Sequence, residues 1–206
     1  MRKIVGGIFV CMLLLLSAFP FTVKAGDPEN PDVVDRIMDV KLFGIFGFPF
    51  QANLKYVDIV SAWFFEDNAN PNFLYVSLKL RDLEDKTDGL EAIYDVDWIF
   101  NNNRYITCVH ANPHGFGVFF VGRSTDGDDD FEDWDICDGM FDSESNVITW
   151  VVPKDAIGNP HPFGRLTNIF PSTHLRFTDD SGLPLMDLFK DLSWNAKTTK
   201  DYIIQY

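Results

Sequence analysis

Hydrophobic and polar residues alternate with a period of two along most of the chain, and helical spacing is scarce. In FLYVSLKLRDL, Leu74, Val76, Leu78 and Leu80 fall on one face, with Tyr75, Ser77, Lys79 and Arg81 on the other. YDVDWIF sets Tyr94, Val96, Trp98 and Phe100 against Asp95 and Asp97. The run NNN at 101–103 reads as a turn, because asparagine tolerates left-handed backbone angles. RYITCVH then returns as the partner strand of a hairpin. GFGVFFVG, NVITWVVP, HLRF and the terminal DYIIQY read as further strands. LPLMDLFKDL (183–192) suggests a helical turn or two, and no long helix is signalled. The connections, such as EDNANPN at 66–72 and GNPHPFG at 158–164, are rich in Asp, Asn, Gly and Pro. Many strands without intervening helices predict an all-β protein, an antiparallel sandwich of jelly-roll-like course. No internal repeat or linker divides it, so residues 26–206 are expected to form one domain.

The first 25 residues stand apart. Arg2 and Lys3 precede an almost wholly apolar run, Ile4 to Phe21, and Val23-Lys24-Ala25 puts small residues at the two positions a signal peptidase reads. A signal peptide cut after Ala25 is therefore expected. The alternative is an uncleaved anchor, because the run is close to the ~18-residue minimum for a spanning helix. No later stretch is long or apolar enough to span a bilayer, so the mature chain is expected to be secreted. Cleavage leaves 181 residues, enough for a substantial core. It removes three bases and no acid, leaving 14 bases against 31 acids, so a net charge of −14 becomes −17. Such a surface repels phosphate backbones, which makes nucleic acid and anionic membranes poor partners. The 46% hydrophobic and 15% aromatic content nonetheless excludes a disordered acidic tail. With Cys11 removed, Cys108 and Cys137 remain in an oxidising compartment, and a disulfide between them is the expectation. Closing their separation would stabilise by roughly 3–4 kcal/mol. Two buried free thiols are the alternative.

The stretch YVDIVSAWFFEDNANPNFLYVSLKLRDLE, where Asp58-Ile59 opens a strand ahead of a polar turn, continues through VDWIFNNNRYITCVH to NVITWVVPKDAIGNP. Its most distinctive element is Val-Pro-Lys-x-Ala-Ile-Gly, Val152 to Gly158. In these features the chain resembles secreted β-sandwich modules that accompany extracellular peptidases and glycan-active enzymes. Their architecture is similar to that of DOMON domains and family 9 carbohydrate-binding modules. The resemblance runs from about Asp32 to Tyr206 and implies a non-catalytic role. The chain departs from it in two respects. No aromatic pair is marked out to sandwich a sugar, and no Met and His pair is marked out to ligate haem.

Charge concentrates in STDGDDDFEDWDICDG, Ser124 to Gly139, which holds eight carboxylates and no Lys or Arg. Asp126, Asp128 and Asp130 occupy the first, third and fifth positions of a calcium-loop template. Phe131 stands where position six requires glycine, and Cys137 where position twelve requires Glu, so an EF-hand is excluded. A looser calcium loop and a solvated acidic loop both stay open. A second cation candidate pairs Asp39 with Asp58, because in the modules the chain resembles an early Asp lies close to that strand start. The alternative is that Asp58 caps the strand. His110, His114, His161 and His174 show no metal-ligand spacing, and no Ser sits in a G-x-S-x-G elbow. Trp134 stands among the carboxylates of an expected loop. There it either stacks on a sugar ring or folds back over a Cys108–Cys137 bridge.

These readings converge on a secreted, non-catalytic, monomeric β-sandwich that binds or presents an extracellular glycan or peptide, with calcium as the cofactor to test. The alternatives are a structural cell-surface protein and a secreted hydrolase with a carboxylate pair.

Overall fold

The computed structural model describes residues 26–42, 50–51, 54–83, 90–112, 115–124, 133–178, 184–192, 196 and 198–206; the expected signal segment lies outside them. Among the described residues the strands are β1 Val33–Val34, β2 Lys41–Leu42, β3 Phe50–Gln51, β4 Ile59–Phe65 and β5 Phe73–Leu80. They continue as β6 Glu91–Phe100, β7 Asn103–Asn112, β8 Gly115–Ser124, β9 Asp133–Asp142 and β10 Val147–Pro153. A 3₁₀ turn at Lys154–Ile157 leads to β11 Arg165–Thr178, β12 Pro184–Leu192, β13 Thr198–Thr199 and β14 Tyr202–Ile203. The strands form one hydrogen-bonded path, β13-β1-β4-β5-β10-β9-β8-β7-β6-β11-β12-β2-β3, while β14 pairs with the start of β11. The all-β, antiparallel expectation holds. In place of the two facing sheets of a closed jelly roll, the path curls into an open half-barrel. No described helix is long and apolar enough to cross a membrane.

Alternation explains which face points inward. Leu74, Val76, Leu78 and Leu80 of β5 are wholly buried, and Val76 lies opposite Trp150 of β10. Tyr94, Val96, Trp98 and Phe100 of β6 point the same way. Trp98 meets Phe64 edge-on at 5.4 Å and lies nearly parallel to Tyr105 at 5.9 Å, so aromatic rings fill the middle of the curl. Each such ring removes about 150–250 Å² from water, a gross stabilisation of about 4–6 kcal/mol. The hairpin at Asn101-Asn102 is as expected. Both residues are left-handed, with φ of 50° and 64°, which matches the twist of the two flanking strands.

Three local expectations are overturned. Residues 184–192 form β12 instead of helical turns, because Ser172–Thr178 of β11 pairs along the segment. Pro184 stands at its first position, where a strand tolerates proline. The acidic stretch is not one loop either. Asp133–Asp142 is a strand paired on both sides, with β8 and with β10. Asp126, Asp128 and Asp130 lie outside the described residues.

The third correction concerns Cys108 and Cys137, which are free and buried. Cys137 lies opposite Phe119, which lies opposite Val109, whereas Cys108 lies opposite Phe120. One register step separates the two, and in a strand one step reverses the face. Cys137 therefore joins the inward core, and Cys108 points outward beside Asp95. Burial, helped by the charge of Asp95, pushes the Cys108 thiol far up, and burial pushes Cys137 up to about 12. Neither is a ready thiolate. Iodoacetamide should thus label neither cysteine in the native protein and both in denaturant without reductant. Denatured protein that takes label only after reduction would contradict this arrangement.

Candidate functional site

Two regions carry chemistry that the core does not need. The first lies where β1, β4 and β12 approach one another. Carboxylate oxygens of Asp35, Asp39 and Asp191 all fall within 4.8 Å of each other. Asp35 is placed by its own N–H, which donates to Val60 O at 3.0 Å. Asp191 Oδ2 accepts from Ile59 N at 2.7 Å, and Asp191 is held inward opposite Thr173. Asp58 stands at the edge of the group. Both of its oxygens accept from Met38 N at 2.9 Å, and Arg81 Nη1 meets it at 2.6 Å. Burial raises Asp191 to about 8; the Ile59 N–H opposes the rise, and the charges of Asp35, Asp39 and Asp58 add to it. Burial likewise raises Asp58, against the pull of Met38 N–H and Arg81.

The sequence pairs Asp39 with Asp58 as a cation candidate. Asp39 belongs to the converging set, and Asp58 lies near enough for the charge of Asp39 to act on it while its own oxygens hold Met38 and Arg81. Asp35 and Asp191 had no sequence signal as ligands. Asp191 sits in the segment that reads as helical, which hides the alternation that turns it inward.

On the outer face of β6, β7 and β11, Glu91 binds His110 Nδ1 at 2.8 Å and Arg176 Nε at 2.5 Å. Beside them, burial lifts Asp95 to about 7. Ser172, His174 and Asp95 are neighbours but do not form a hydrolytic triad. The same nitrogen, His174 Nε2, faces both Ser172 Oγ at 3.5 Å and Asp95 Oδ2 at 3.9 Å. A triad needs one ring nitrogen for the nucleophile and the other for the carboxylate. His161 lies in a loop with Nδ1 near Pro162 O, and His114 is outside the described residues.

The second region is the outer face of β8 and β9. Cys137 and Phe141 of β9 point inward, so Trp134, Ile136, Asp138 and Met140 point out. Ile136 is 72% exposed, Met140 56%, Val118 of β8 49% and Trp134 46%. Trp134 is therefore on a strand, not in a loop, and it does not cover a bridge. Its ring lies over Gly122, whose Cβ would come within 3.0 Å of it, and meets Phe120 edge-on at 6.2 Å and 84°. Gly139 serves the inner side of the same strand, where any Cβ would collide with the Phe119 ring. Asp133 and Asp135 are exposed at the end of β9, and with Arg123 and Asp155 they line a cleft there.

Fold and site together define a class: an antiparallel, curled β-domain with a carboxylate cluster and an apolar outer face that carries Asp138. Comparison with protein-family models, curated proteins and solved structures finds no match to this chain.

Proposed function

We propose that this chain is an exported, non-catalytic β-domain whose outer β8–β9 face binds an extended, basic and apolar segment of another extracellular protein. The observation that carries this reading is the set of exposed apolar side chains on adjacent strands, Val118, Trp134, Ile136 and Met140. Large exposed apolar groups in contiguous patches mark interaction surfaces more often than they mark ordinary solvent-facing sheet. Asp138 stands among them, on a chain of net charge −14, so the complementary partner is basic. Both strands are already paired on each side, so recognition is through side chains and not through addition of a strand. A peptide is favoured over a glycan. Trp134 and Phe120 stand edge-to-face and offer no common plane for a sugar ring, and the remaining patch is aliphatic. The ligand reading thus parts from the carbohydrate-binding side of the family resemblance while keeping its non-catalytic role.

Calorimetric titration with a twelve-residue peptide of alternating Lys and Leu tests the proposal. The wild-type protein should bind it, and Ile136→Asp should weaken binding roughly 10–100-fold, the equivalent of losing about 1.5–3 kcal/mol of apolar burial. The added carboxylate would strengthen a purely electrostatic attraction, so the loss isolates the apolar contact. Tight binding of a glycan from a panel, unchanged in Ile136→Asp, would overturn the reading.

The convergence of Asp35, Asp39 and Asp191 favours a second element, a divalent cation that fastens β1, β4 and β12 from inside. Oxygen-only donors that can each bind through two atoms suit calcium.

A further inference from the structure

Asp32 is buried just before β1, and its Oδ2 accepts a hydrogen bond from Phe64 N at 2.8 Å. The same Oδ2 lies 2.6 Å from the point where a Cβ on Gly26 would stand, and Phe64 O lies 2.5 Å from that point. Gly26 is thus pressed against the carboxylate so closely that no larger residue fits. Covalent geometry puts the nitrogen of Gly26 about 2.5 Å from that Cβ position, hence within about 5 Å of Asp32 Oδ2. Gly26 is also the residue that Val23-Lys24-Ala25 would leave at the front of an exported chain.

We propose that removal of residues 1–25 completes a site inside the domain, in which the new α-ammonium of Gly26 docks on Asp32 and fixes the first residues against β4. Hydrolysis of the Ala25–Gly26 amide consumes one water, leaves a carboxylate on Ala25 and puts the ammonium on Gly26. Before cleavage the same nitrogen is a neutral amide and offers no counter-charge. The other charged groups near Asp32 do not replace it. Lys200 lowers Asp32 from a distance, but its Nζ is held by Asn30 Oδ1 at 2.7 Å. Asp27 adds a like charge, and Tyr202 donates its hydroxyl to Glu66. With burial as the main cause, Asp32 stands at about 6 when no ammonium is at hand. The inference is independent of what the β8–β9 face binds.

The test compares two secreted or refolded proteins, one starting at Gly26 and one retaining Ala25, which moves the amine one residue, about 3.8 Å, along the chain. At pH 7 the Gly26 form should melt roughly 2–4 °C higher. The gap should vanish in Asp32→Asn, where the near-isosteric amide can still accept from Phe64 N. It should also fade as pH climbs well past the ordinary α-amino range of about 7.7–8.0, because the ammonium is then lost. Equal melting temperatures at pH 7, or a gap that persists in Asp32→Asn, would overturn the proposal. So would an intact mass showing that the exported chain starts at any residue other than Gly26.

Discussion

In buffer containing a chelator, the protein should melt roughly 5–10 °C higher at pH 5 than at pH 8. The cause is the set of buried carboxylates whose burial raises them above the usual range: Asp191 to about 8 and Asp95 to about 7. A carboxyl group that holds its proton more tightly when folded contributes stability that is fully present below its unfolded value. That contribution is lost as pH rises through the folded value. For Asp191 alone the loss between pH 5 and pH 8 is on the order of 3 kcal/mol. Carboxylates held low, such as Asp67 by the Ala69 N–H and Asp142 by Ser145, act in the opposite direction only at more acidic pH. Calcium at pH 8 should restore most of the difference by replacing protons as the counter-charge of Asp35, Asp39 and Asp191, and Asp39→Asn should abolish that rescue. A melting temperature that climbs from pH 5 to pH 8 would defeat the buried-carboxylate account. A normal pH profile with no calcium response would defeat only the cation.

Replacing Lys154 with Met should cost about 3–5 kcal/mol, the range for stranding one partner of a buried ion pair. Lys154 Nζ meets Glu66 Oε1 and also donates to Tyr206 O, and the Glu66 side chain is wholly shielded from solvent. Glu66 further accepts from Tyr202 Oη at 3.1 Å and Gln205 N at 2.6 Å, so the pair ties β4, the 3₁₀ turn and the β14 segment together. The Val-Pro-Lys-x-Ala-Ile-Gly element acquires a structural meaning from this. Pro153 keeps the backbone extended, Lys154 turns inward, and Gly158 closes the turn at φ 78° in the left-handed region. Urea unfolding should show a lower midpoint with little change in slope for Lys154→Met. Adding Glu66→Gln should recover part of the loss, because the stranded charge is then gone. A single variant as stable as wild type would remove the pair from the account.

What was legible in the sequence depended on whether local pattern or distant pairing decided the outcome. β5 and the β6–β7 hairpin read correctly, because their inward positions are uniformly apolar and Asn101-Asn102 carries its own turn chemistry. β12 read as helical because nothing in LPLMDLFKDL announces that β11 will pair with it. The cysteines show the same limit more sharply. Their spacing along the chain allows a bridge, but the register of β7, β8 and β9 turns the two thiols to opposite faces, and register is a property of three strands at once. The sequence marks Asp39 and Asp58, while Asp35 and Asp191 come beside Asp39 only through the packing of β1 and β12 beside β4. Trp134 stands out in the sequence for its place among acids, with exposure and folding back over a bridge both open, while its neighbours Ile136, Met140 and Val118 emerge only once β9 is seen to be a strand.

The most direct test of the central claim is a methyl-resolved NMR titration of the protein with the alternating Lys/Leu peptide at low salt. Binding to the β8–β9 face predicts chemical-shift changes at the methyl groups of Ile136, Met140 and Val118, with Val76 and Leu78 on the inner face undisturbed. These changes should shrink as salt is raised, because Asp138 and the net negative charge of the chain attract the peptide through charges that ions screen. Shifts centred on residues away from β8 and β9, or a Glu/Leu peptide producing the same changes at the same concentrations, would contradict it.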